Sequence, residues 1–209
     1  MRVLASALSS MLQETVIDRT ALTGSFSVDM VVIRNPATWP GFFVNLGLGG
    51  TYMSFAGLWA VPWLTTFHGM TRARATTHTT VMLVAFAVSS LVAGRLSDAV
   101  GRRRAPAVAF GAVQVACWIP VVLGVPLSPA GGLALFTLMG ASGPAFTLSW
   151  AAVKEVNPPA LSGTAMAVVN TGVFLGAAIY QPLVGWVLDR AGFRAALLVR
   201  EAAPRGAPR

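Results

Sequence analysis

From Ala105 to Val153 the chain carries no Asp, Glu, Lys or Arg. As one α-helix this run would be roughly 70 Å long at 1.5 Å per residue. That is more than twice the thickness of a bilayer's hydrocarbon core. The run must turn, and its turn residues lie together in Val125-Pro126-Leu127-Ser128-Pro129-Ala130-Gly131-Gly132. Spans over about 105–125 and 131–153 result. The same pattern recurs on both sides. Charges vanish between Arg34 and Arg72, which predicts a span at about 42–66 with Trp39 and Trp63 near its ends, as interfacial aromatics stand. A further span covers about 75–94. The last, about 161–188, is entered through Pro158-Pro159, since proline is tolerated in the first turn of a helix. Only 11% of residues are charged, where a soluble domain has about 25%. The fold class expected is all-α: a polytopic membrane protein with about five transmembrane helices. Residues 39–188 form the membrane domain, 1–38 a preceding linker and 189–209 a tail. MRVLASALSSML is too short and too broken by serines for a signal peptide.

The net charge of +8 does not make this a nucleic-acid binder. The basic residues lie in short connections between apolar runs, where membrane topology places them. Cys117 is the only cysteine, so neither an internal disulfide nor a zinc site is expected. His68 and His78 flank an outer loop at a spacing that suits no metal, and both read as solvated. No metal and no cofactor is expected, and no Ser/His/Asp grouping points to an enzyme. Gly47, Gly49 and Gly50 in NLGLGG have the wrong spacing for a dinucleotide loop and read as close helix packing, as do Gly172 and Gly176.

One loop is dense in charge: Gly94-Arg95-Leu96-Ser97-Asp98-Ala99-Val100-Gly101-Arg102-Arg103-Arg104. Gly94, Asp98, Gly101 and Arg103 are matched by Gly185, Asp189, Gly192 and Arg194 at one offset of 91 residues. The offset covers three spans, so the second copy lies on the opposite side of the membrane, the geometry of an inverted three-plus-three repeat. On that repeat a sixth span begins at Ala196-Leu197-Leu198-Val199 and is interrupted by Arg200-Glu201, so the chain reads as a truncated half of a larger transporter. With 1–38 cytoplasmic, the inner loops hold Arg34, Arg95, Arg102, Arg103, Arg104 and Lys154, the positive-inside arrangement. Asp98 then stands at the C-terminal end of its helix, where a carboxylate opposes the helix dipole and needs a partner.

GRLSDAVGRRR resembles the signature loop of the major facilitator superfamily, although Ala99 stands where a basic residue is usual. AGLWAVPWL resembles the start of the C-terminal half of such permeases in bacteria, and KEVNPPALSGTAMAVVNTGVFLGAAIYQPLVGWVLD the tenth-to-eleventh helix region. The resemblance covers about 39 to 195 and makes the five spans helices 7 to 11 of a partial six-helix half. It implies transport of a small-molecule solute by two halves that rock about a midplane site. The localisation implied is a bacterial inner membrane. The loop residues Gly94, Asp98, Gly101, Arg102, Arg103 and Arg104 would form a conformational switch with Lys154 as a partner of Asp98. Gly94 would allow close helix approach and Gly101 a tight turn. The three arginines would anchor at anionic lipid headgroups. The facing helix would belong to the missing N-terminal half, and the fragment alone would be inactive.

No predicted span holds an ionisable residue at its middle, the usual mark of an intramembrane site. Asn45, Tyr52, Gln114, Asn170 and Gln181 are the candidates for a substrate cavity, each with interhelical hydrogen bonding as its alternative role. A non-transporting membrane subunit or regulator is the competing reading of the whole chain.

Overall fold

The computed structural model describes residues 30–190. They contain no strand. The linker residues 1–29 and the tail residues 191–209, which include Gly192, Arg194 and the start of the sixth span, lie outside the described residues. Val32–Arg209 is one compact unit, and of the other, Met1–Val31, only Met30 and Val31 are described.

α1 runs through residues 39–67 and contains two wide turns of π-helix, Asn45–Gly49 and Phe55–Trp59. Both have a local cause. In the first, side chains compete for backbone carbonyls: the Asn45 amide donates to Gly41 O at 2.9 Å and the Thr51 hydroxyl to Gly47 O at 2.7 Å. The second precedes Pro62, whose ring would crowd the carbonyl four residues back, and a widened turn relieves it. Gly69, at φ 63°, lies in the turn that follows.

α2 is Arg72–Val100, capped by the Thr71 hydroxyl. α3 is Arg104–Val122. α4 is Pro129–Glu155, capped by the Ser128 hydroxyl, which accepts from Gly131 N–H at 3.0 Å. It breaks at Gly143-Pro144, because Pro144 has no N–H to continue the ladder. α5 is Ser162–Arg190, entered by the 3-10 turn Pro159–Leu161. Four helical runs, Arg72–Val100, Arg104–Val122, Pro129–Glu155 and Pro159–Arg190, are long and apolar enough to cross a membrane. α1, interrupted twice, is the fifth apolar run. α4 is the central helix: more than half of its apolar window is buried, against less than a third in α2, α3 and α5.

Two seams hold the bundle. In the first, α1 lies against α5 so closely that a Cβ on Gly50 would fall 2.6 Å from Gly176 Cα, and one on Gly176 2.3 Å from Leu46 O. Gly49 faces Val173 at 3.0 Å by the same construction. In the second, α2 lies against α4, and a Cβ on Gly140 would fall 2.0 Å from Met82 O and 2.9 Å from the Ala85 side chain. These are the same positions displaced by the repeat offset: Gly49 and Val173 correspond to Gly140 and Met82, and Gly176 to Ala85. Without a hydrophobic drive between helices in lipid, such close backbone approach is what packing there gains from. Aromatic rings fill the wider gaps, Tyr52 with Phe86 and Phe146, and Phe55 with Trp63, Trp118 and Phe136.

Candidate functional site

Gly101 closes α2 in the left-handed region, φ 64°, and its N–H returns to Asp98 O at 3.1 Å. The reversal brings Arg103, at the cap of α3, beside the last turn of α2. Its Nη1 pairs with the Asp98 carboxylate and donates to Ser97 Oγ at 3.1 Å. Its Nε donates to Glu155 Oε1 at 2.8 Å. One guanidinium therefore joins carboxylates from the ends of α2 and α4. Hydrogen bonds to Glu155 first and to Asp98 second hold Arg103 above its ordinary pKa. Each charge stands at the wrong end of its own helix: two anions at C-termini and a cation at an N-terminus, each unfavourable by about 0.3–1 kcal/mol. Pairing offsets all three mismatches at once.

Lys154, expected beside Asp98, is exposed, and the ion pairs of Asp98 and Glu155 both run to Arg103 instead. The planar fork of Arg103 reaches two carboxylates, which the point charge of a lysine does less well. Arg102 and Arg104 are exposed. Gly94 has nothing within 4 Å of the space its Cβ would take, so no close helix approach involves it within this bundle. Glu155 is the residue that sequence reasoning missed. Its signal was an acid closing a long uncharged run on the same side as the basic loop.

The cavity candidates divide. Asn45 is fully buried, donates to Ser149 Oγ and accepts from Trp150 Nε1 at 2.9 Å. Gln114 is buried and accepts from the Ser142 hydroxyl at 2.6 Å. Tyr52 is enclosed by Phe86 and Phe146. Asn170 and Gln181 remain half-buried on α5. A further polar knot was not anticipated: Asn35 donates to Val156 O at 2.7 Å, and Asn157 donates to Thr38 Oγ1 at 3.0 Å. It ties the approach to α1 to the α4–α5 turn.

His78 corrects an expectation. It is buried, not solvated, with its ring 5.6 Å from Phe136 and Nδ1 2.8 Å from Arg74 O. A carbonyl only accepts, so Nδ1 carries the proton. Gly132, without a side chain, leaves room for the ring. No group of three His, Cys, Asp or Glu is gathered among the described residues.

Compared with known families, residues 41–199 match the family described as Major Facilitator Superfamily. No curated protein and no solved structure matches the chain.

Proposed function

The chain belongs to the major facilitator superfamily, and from that premise we propose that its helices form one half of a secondary transporter working by alternating access. Family membership makes it an integral membrane protein of a transporter class that carries small-molecule solutes.

The observation that carries the finer reading is Arg103 joined to Asp98 and Glu155. The cluster is a switch on the cytoplasmic side, set by the positive-inside arrangement of the loops. Its three charges are mismatched with their own helices, so they re-pair at small cost when a facing helix N-terminus arrives. That helix belongs to a second half, and the midplane site is shared between the two, so these helices alone transport nothing. Asn170 and Gln181 are the polar candidates that support solute contact best, because their side chains are not enclosed. Asn45 and Gln114 serve the packing of the half itself. Arg102 and Arg104 contact anionic headgroups, and the membrane is a bacterial inner one.

The test uses a complete transporter containing these helices. Asp98→Asn and Glu155→Gln should each reduce counterflow at unchanged protein level. Asp98→Asn at full flux would leave the loop a topological signal only.

A further inference from the structure

At the same end of the bundle as the charged loop, a groove of about 700 Å³ opens between α1, α3 and α4. It is lined by Arg103 and Arg104 at the end nearest the charged loop and by Val44, Leu48, Gly111 and Leu148 further along α1, α3 and α4. From Arg104 to Gly111 the groove runs about 10 Å along α3, at 1.5 Å per residue. Below the arginines the only lining hydroxyl is Ser149, and it already donates to Phe146 O at 2.6 Å and accepts from Asn45. Nothing polar remains inside for a solute to recognise. The outer side of α3 is apolar, with Val108 62% and Val115 57% exposed, so among the described residues the groove opens on an apolar face.

We propose that this groove holds an anionic phospholipid, with its phosphate at Arg104 and the free side of Arg103 and one acyl chain between α1, α3 and α4. The inference rests on reading the charged loop as the membrane–water boundary. The match is one of charge and depth. Two cations stand at the boundary and continuous apolar surface lies below them. A phospholipid has that order of chemistry along its length. The lipid would brace the turn that carries Arg103, and so the orientation of the guanidinium towards Asp98 and Glu155.

The test uses the full chain in phosphatidylcholine nanodiscs, titrated with phosphatidylglycerol and read by native mass spectrometry of retained lipid. Phosphatidylglycerol should be retained in preference to phosphatidylcholine. Arg104→Gln should weaken that retention about five-fold, the equivalent of about 1 kcal/mol per basic side chain at an anionic surface. Arg72→Gln, an equal loss of charge at the opposite end of α2, should leave it unchanged. Ala107→Phe and Ala152→Leu fill the groove from two different helices, and each should reduce retention at least as much. Unfolding temperature in phosphatidylcholine shows which variants remain folded. Equal losses from Arg72→Gln and Arg104→Gln would mean general charge attraction and overturn the proposal. So would full retention in a folded groove-filling variant, or a dimer in phosphatidylcholine that phosphatidylglycerol fails to disperse. A wrong membrane orientation would appear separately, in cysteine labelling, and would not alter lipid retention.

Discussion

Gly101 and Gly94 share a loop and answer to different physics. Gly101 sits at φ 64° with nothing within 4 Å of a Cβ, so a side chain there is opposed by backbone conformation alone. Gly101→Ala should destabilise by about 1–2 kcal/mol, and Gly101→Asn by less, since asparagine tolerates the left-handed region. Chemical denaturation in detergent would read both; equal losses would show that conformation is not the cause. Gly94 is helical and unopposed. Gly94→Ala should leave the stability of these helices unchanged or raised by up to about 1 kcal/mol. If flux in the complete transporter falls while stability holds, Gly94 meets the other half. Arg103 illustrates what one sequence could and could not disclose. That Asp98 needs a partner follows from its place at a helix end. Which cation supplies it depends on the turn geometry at Gly101 and on Glu155, which lies 52 residues away from Arg103.

The helix seams decide whether the bundle forms. Gly176→Leu should separate α1 from α5, because even its Cβ would fall 2.3 Å from Leu46 O, well inside van der Waals contact distance. The expected loss is about 1–3 kcal/mol or more, whereas Gly163→Ala, with open space around it, should be neutral. Melting temperatures of the purified variants would separate the two; a neutral Gly176→Leu would show that the seam is not tightly held. Gly172 and Gly176 were legible because their spacing places both on one helix face. Gly140 was not, since its opposing surface is a backbone carbonyl of another helix and no spacing encodes that. The α4 break was written in Gly143-Pro144 yet passed over within an otherwise apolar run. The wide turns of α1 were hidden for a similar reason. Asn45 and Pro62 act on the ladder through local geometry, while hydropathy registers only that the stretch is uncharged.

For the molecule as a whole, the testable quantity is orientation. Ala99, in the last turn of α2, and Ser128, in the connection before α4, are both exposed and flank opposite ends of α3. A cysteine at Ala99 should react only with reagent on the cytoplasmic side, and one at Ser128 only from outside. Native Cys117 is buried and should stay silent. The reverse pattern would overturn the orientation, and labelling of both from one side would overturn the crossing by α3. Ser97 would have been a poorer reporter, because it is 1% exposed beneath Arg103. Fold class was legible from the charge-free runs alone, since only helices satisfy their own backbone in lipid. The placement of polar side chains was not. Asn45 and Gln114 look alike in sequence whether they face a cavity or a neighbouring helix, and only the packed bundle separates the cases.

The α1–α5 seam also imposes an order in time. Gly50 leaves the ribosome before its partner surface on α5 exists, and at about 5–20 residues per second the roughly 120 intervening residues take about 6–25 s to make. During that interval α1 carries an unmatched strip of bare backbone at Gly49-Gly50. The α2–α4 seam closes earlier, because Gly140 is synthesised before Gly176. These helices thus assemble from the middle, and α1, although it emerges before α2 to α5, is the last of the two seams' founding helices to find its neighbour.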